Sequence, residues 1–204
     1  MKKKIIILLF LVIMLSTASA FAQSITHTVV SGDTMWKIAV RYQIGISELI
    51  AANIHIKNPD LIYPGQKLTI PNIDDIKAQE NEVIRLVNAE RAKNGLPALK
   101  ANWELSRVAR YKSQDMIDKN YFAHQSPTYG SPFDMMESFG IRFSAAGENI
   151  AKGQRTPAEV MNAWMNSPGH KSNILSRSYT EIGVGLARNK NGVCYWTQMF
   201  IKPY

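Results

Sequence analysis

Trp164-Met165-Asn166-Ser167-Pro168-Gly169-His170-Lys171-Ser172-Asn173-Ile174-Leu175 is the stretch on which the fold turns. Its Trp and apolar neighbours fit the end of a helix, which Pro168-Gly169 is expected to terminate. His170 then stands just past a glycine, outside regular structure. Similar features recur upstream. His124 lies in Tyr121-Phe122-Ala123-His124-Gln125-Ser126-Pro127, and Glu148 follows Gly147 in Ala146-Gly147-Glu148-Asn149-Ile150-Ala151. Downstream come Tyr179-Thr180-Glu181-Ile182-Gly183-Val184-Gly185 and Tyr195-Trp196-Thr197-Gln198-Met199-Phe200. Polar side chains carried on turns are expected to serve a cleft.

Around these motifs the pattern is mixed. Asp75 to Asn94 reads as a helix with Val83, Leu86 and Val87 on one face, and Gly95 suits its stop. Leu96-Pro97-Ala98-Leu99 is a turn into a second helix bearing Leu105, Val108, Ala109 and Met116, which ends at Asn120. Thr156-Pro157-Ala158-Glu159 has the form of a capping box ahead of Val160, Met161 and Trp164. Glu181 to Arg188 and Gly192 to Ile201 read as strands around the hairpin turn Asn189-Lys190-Asn191-Gly192. Helices around a hairpin-containing sheet imply an α+β fold, large enough to bury a core without disulfides.

A smaller module precedes it. Residues 26–71 carry a β-α-α-β signature: the strand Thr26-His27-Thr28-Val29-Val30, the turn Ser31-Gly32-Asp33-Thr34, and a helix with Met35, Ile38, Ala39 and Tyr42 inward. A second helix, with Ser47 as its cap, runs over Ile46 to Asn53. The turns Asn58-Pro59-Asp60 and Tyr63-Pro64-Gly65-Gln66 lead to the strand Lys67 to Pro71. Trp36 is assigned to packing against this small core.

The 26–71 segment resembles a LysM domain. The match rests on His27-Thr28-Val29, Ser31-Gly32-Asp33-Thr34, Leu49-Ile50-Ala51-Ala52-Asn53 and Tyr63-Pro64-Gly65-Gln66-Lys67-Leu68. That resemblance implies binding to N-acetylglucosamine-containing glycans, chiefly peptidoglycan. It places the groove at Gly32, Asp33, Thr34 and Met35 facing Asn58, Pro59, Asp60, Leu61 and Ile62. After a linker and first helical turn at 72–79, residues 80–203 resemble CAP proteins (cysteine-rich secretory proteins, antigen 5 and pathogenesis-related proteins), most closely the compact bacterial branch. Asn88-Ala89-Glu90-Arg91, Gly95-Leu96 and the motifs above carry that match. It implies an α-β-α sandwich with two His and two acids in a central cleft. His124, Glu148 and His170 take three of those positions as candidate ligands of a divalent metal such as zinc. Three such ligands leave a position open for water. The usual second acid is replaced by Ser167, with Glu181 as a substitute. A LysM-CAP pair also resembles a group from endospore-forming bacteria, which implies a place in the spore envelope.

Met1-Lys2-Lys3-Lys4, an apolar run from Ile5 to Leu15 and Ala20-Phe21-Ala22 have the layout of a secretory signal peptide over 1–22. Eleven helical residues span about 16 Å, against about 30 Å of hydrocarbon, so no stable membrane span is expected after cleavage. Cleavage removes three lysines and no acids, taking the net charge from +8 to +5. A basic exported chain suits an anionic wall, and without a dense basic stripe no nucleic-acid partner is expected. Cys194 is the only cysteine, so no intramolecular disulfide forms. The leading expectation is a noncatalytic, wall-associated protein. The competing one is a metal-dependent hydrolase working through His124, Glu148 and His170.

Overall fold

The computed structural model describes residues 25–204. The expected signal peptide lies outside them.

The small module is built on β1 (Ile25–Thr28) paired antiparallel with β2 (Lys67–Ile70). Helices α1 (Met35–Tyr42) and α2 (Ile46–Ala51) pack against that pair. Thr34 caps α1, its hydroxyl accepting Lys37 N–H at 3.1 Å. Met35, Ile38, Ala39, Leu49 and Leu68 form the core. Buried Asn53 ties α2 to β2. Its amide donates to Leu49 and Thr69 carbonyls, and its oxygen accepts Thr69 N–H at 2.8 Å.

Two readings of this module need correction. Trp36 is 56% exposed, so it does not pack into the core. The cap of α2 is Gly45, not Ser47, which falls inside the first turn. A Cβ at Gly45 would come within 2.0 Å of the Tyr111 hydroxyl, and a close approach from the next domain accounts for the glycine.

The larger domain is a four-stranded sheet between helical layers. Its strands are β3 (Lys100–Ala101), β4 (Ala145–Lys152), β5 (Glu181–Arg188) and β6 (Cys194–Lys202), in the order β3-β5-β6-β4. Helices α3 (Asp74–Lys93) and α6 (Pro157–Met165) cover one face with Val83, Val87, Val160 and Trp164 against Ile182, Val184, Trp196 and Phe200. The other face is covered by α4 (Trp103–Asp118) and α5 (Pro132–Ser138), through Leu105, Val108, Met135 and Met199.

The glycines of Gly183-Val184-Gly185 explain how tightly α4 sits. A Cβ at Gly183 would lie 2.4 Å from Leu105 backbone, and one at Gly185 would lie 2.1 Å from Ala109 backbone. Asn88 and Arg91 are clamps. Asn88 exchanges two hydrogen bonds with Leu99 backbone, while buried Arg91 donates to the carbonyls of Pro97, Ile174 and Ser176. Among the described residues no helix is long and apolar enough to cross a membrane.

Candidate functional site

Pro168-Gly169 does not end in a loop. Pro168 is the first residue of another helix, α7 (Pro168–Ile174), and His170 lies in its opening turn. Pro fits there because the first helical N–H has no intrahelical partner anyway. Glu148 likewise sits mid-strand in β4 rather than on a turn. Of the three histidine and acid motifs, only His124 occupies irregular backbone. The glycine before Glu148 has a steric cause, because a Cβ on Gly147 would stand 2.5 Å from the Tyr179 hydroxyl.

His124 and Glu148 come together: Nδ1 of the imidazole lies 2.7 Å from Oε1. The His side chain is 55% exposed and the Glu side chain 1% exposed. Burial pushes the Glu148 carboxyl above its ordinary pKa, a rise that the His124 hydrogen bond opposes. The same hydrogen bond raises His124. Glu148 Oε2 is buried without a partner. Beside this pair lies a 340 Å3 cleft walled by Phe133, Ala146, Gly147, Asn173 and Tyr179.

His170 is held nearby but not bonded to the pair. Its carbonyl accepts from Asn149 Nδ2 at 3.1 Å. Burial lowers its pKa first, and the charge of His124 lowers it further. Among the described residues no group of three or more His, Cys, Asp or Glu side chains is placed to hold a metal. His124 and Glu148 meet, and His170 makes no hydrogen bond to either. Glu181 is elsewhere, bonded to Asn102 at 2.7 Å and facing Lys100. Glu159 N–H bonds the Thr156 hydroxyl, but its carboxylate takes Arg155 N–H, so the capping box is offset by one residue.

A buried network beneath His124 escaped sequence reading. Lys112, fully buried on α4, donates to the His124 carbonyl at 2.5 Å and to the Tyr121 hydroxyl. One turn along, Asp115 accepts from Tyr121, Ser126 and Thr128 hydroxyls at 2.6 to 2.7 Å. A lysine and an aspartate on the inward face of a helix were the available signal, since burial of such charges requires partners.

The glycan-groove candidates divide. The ladder continues past Thr28 through Val29, which exchanges bonds of 2.8 Å with Gly65 and Gln66. The loops after Val29 and before Gly65 therefore leave the same end of the small sheet. Gly32, Thr34, Asn58, Asp60 and Leu61 are exposed there, with Pro59 and Ile62 half-buried. Met35 is 3% exposed and belongs to the core. The Asp33 carboxylate is spent on Val30 N–H, His27 and Arg41, and Lys37 takes the Gly32 carbonyl.

Comparison with known proteins agrees with this architecture. Residues 27–71 match the LysM domain and residues 84–200 the cysteine-rich secretory protein family, CAP. YkwD of Bacillus subtilis (strain 168), an uncharacterized protein, is 60% identical over 62% of the chain, which spans 48% of its length. The spore coat assembly protein ExsA of Bacillus cereus is 46% identical over 46 residues, 22% of this chain and 7% of that protein. A Bacillus anthracis extracellular protein containing an SCP domain superposes with a TM-score of 0.59 at 32% identity. That match covers 68% of this chain and 47% of its own. With its sandwich, its glycine-spaced hairpin and its His124–Glu148 cleft, the chain belongs to the cysteine-rich secretory protein (CAP) family and carries a LysM domain ahead of that fold.

Proposed function

We propose that the chain is an exported, noncatalytic protein of the cell wall. Its LysM module grips N-acetylglucosamine-containing glycan, chiefly peptidoglycan, and holds the CAP cleft beside it. The observation that carries this reading is the pair of exposed loops, 31–34 and 58–62, leaving one end of a LysM sheet. Acetamido sugars need backbone and short polar partners together with apolar contact, and Thr34, Asn58, Asp60 and Leu61 offer that mixture. The likeness to ExsA over the LysM segment supports placing the protein in the spore envelope.

Cosedimentation of the purified chain with insoluble peptidoglycan tests the tether. We expect retention in the pellet, weakened at least tenfold by Asn58→Ala with Leu61→Ala. A chain that stays in the supernatant overturns the tether.

Hydrolysis through the CAP cleft is the second reading, favoured by the buried Glu148 oxygen that has no partner. Turnover of wall fragments or peptides that survives both Glu148→Gln and His170→Ala would place any such activity elsewhere.

A further inference from the structure

Arg110 sits on α4 where the two modules meet, and its donors are only partly bonded. Its side chain is 9% exposed, with Nε 3.1 Å from Glu80 Oε1 as an ion pair. Beyond that ion pair, Nη1 is buried without a hydrogen-bond partner. A guanidinium offers five donors in a planar fork, and buried polar groups are bonded in the great majority of cases. The Glu80 oxygen is itself shared with Leu186 N–H at 3.0 Å.

Two cavities are lined in part by Arg110. The smaller, of 230 Å3, is bounded by Gln43 from the LysM module and by Lys77, Glu80 and Ser106 from the CAP domain. Its walls bring two cations, Lys77 and Arg110, against one acid. The larger, of 570 Å3, follows the seam along Ile73, Ile76, Tyr111 and Tyr129. A cavity of that size at a domain boundary, apolar with a few placed polar groups, has the properties of a small-ligand site.

We infer that the seam between the modules binds a small molecule with an oxyanion head. Its carboxylate or phosphate rests on Arg110, and its apolar body lies along Ile73, Ile76 and Tyr111. A guanidinium receives either anion through two parallel N–H bonds. Glu80 competes for the same guanidinium, holding one edge of it as an ion pair. Burial raises its pKa to about 7, a rise the charge of Arg110 opposes. A bound ligand would touch both modules and hold them in one arrangement.

Isothermal titration of the full chain with inorganic phosphate, hexanoate and hexyl phosphate, at constant ionic strength against chloride, tests this. We expect saturable binding of at least one probe, at least tenfold weaker in Arg110→Met. Glu80→Gln should bind several-fold tighter, since its amide oxygen still accepts Leu186 N–H. Phosphate binding as well as hexyl phosphate assigns the site to the head group alone. Binding of only the alkyl probes assigns it to the whole seam. The second result supports the proposal, and the first overturns its apolar half. Absence of saturable binding, or equal affinity in Arg110→Met, overturns it. If circular dichroism shows Arg110→Met unfolded, Glu80→Gln decides, and unchanged or weaker affinity there overturns the proposal.

Discussion

Glu148 and His124 share one proton-linked bond across the boundary between core and solvent. Both pKa values are raised, the carboxyl by burial and the imidazole by its bond to that carboxyl. A group raised on folding stabilises the native state fully below its unfolded pKa, and that contribution fades as pH rises through the folded value. The carboxyl contribution is therefore expected to fade as pH rises above its ordinary value of 4.5, and the imidazole contribution as pH rises above 6.5. Histidine titration by NMR checks the cause: Glu148→Gln should lower the His124 pKa, and an unmoved value would refute the pairing. Beneath the pair, Lys112→Met strips the His124 carbonyl and Tyr121 hydroxyl of a charged donor. We expect a loss of about 2 kcal/mol in urea unfolding, with faster proteolysis between 120 and 130. Lys112 and Asp115, the two buried charges of α4, are plain in the sequence, but nothing local says which loop they hold.

Elements of the CAP fold are set by close approaches and by an unusual edge. On β4, the outer strand, the carbonyls of Ala146, Glu148 and Ile150 are taken by Tyr179 hydroxyl, Asn173 Nδ2 and Trp164 Nε1 at 3.2 to 3.3 Å. Covering an exposed edge removes a template for strand addition. Trp164→Phe keeps the bulk and loses one such bond, so about 1 kcal/mol of stability should go. Gly185→Ala forces a methyl into the α4 backbone, and a loss of about 3 kcal/mol in unfolding free energy, measured in urea, is expected. The helices α3, α4 and α6 follow from period and caps that the sequence shows. Helix α5 was missed although Ser131-Pro132-Phe133-Asp134 holds a full capping box. Strand β3, of two residues, and helix α7, opened by a proline read as a stop, exist only through their neighbours.

At the scale of the whole molecule the two modules are joined by more than the chain. Tyr111 hydroxyl donates to Glu48 Oε2 at 2.8 Å, and Lys77 Nζ to the Tyr42 carbonyl at 2.8 Å. Burial raises the Tyr111 phenol to about 12, so it remains a donor throughout the neutral range. Tyr111→Phe should cost about 1 kcal/mol and loosen the pair. Small-angle scattering should then show a larger radius of gyration, whereas an unchanged radius would mean that the seam is held by packing alone.

The sequence by itself determined two modules, their families and the identity of His124 and Glu148, because turn glycines, caps and apolar periods are local properties. Only the tertiary structure decided that Met35 is core, that Trp36 faces solvent, and that His124 bonds Glu148 while His170 lies nearby without a bond to the pair. It also placed Arg110 at a seam between modules. The physical reason is that partnership among buried polar groups is fixed by which elements pack together, and that packing is not written in any single stretch of chain.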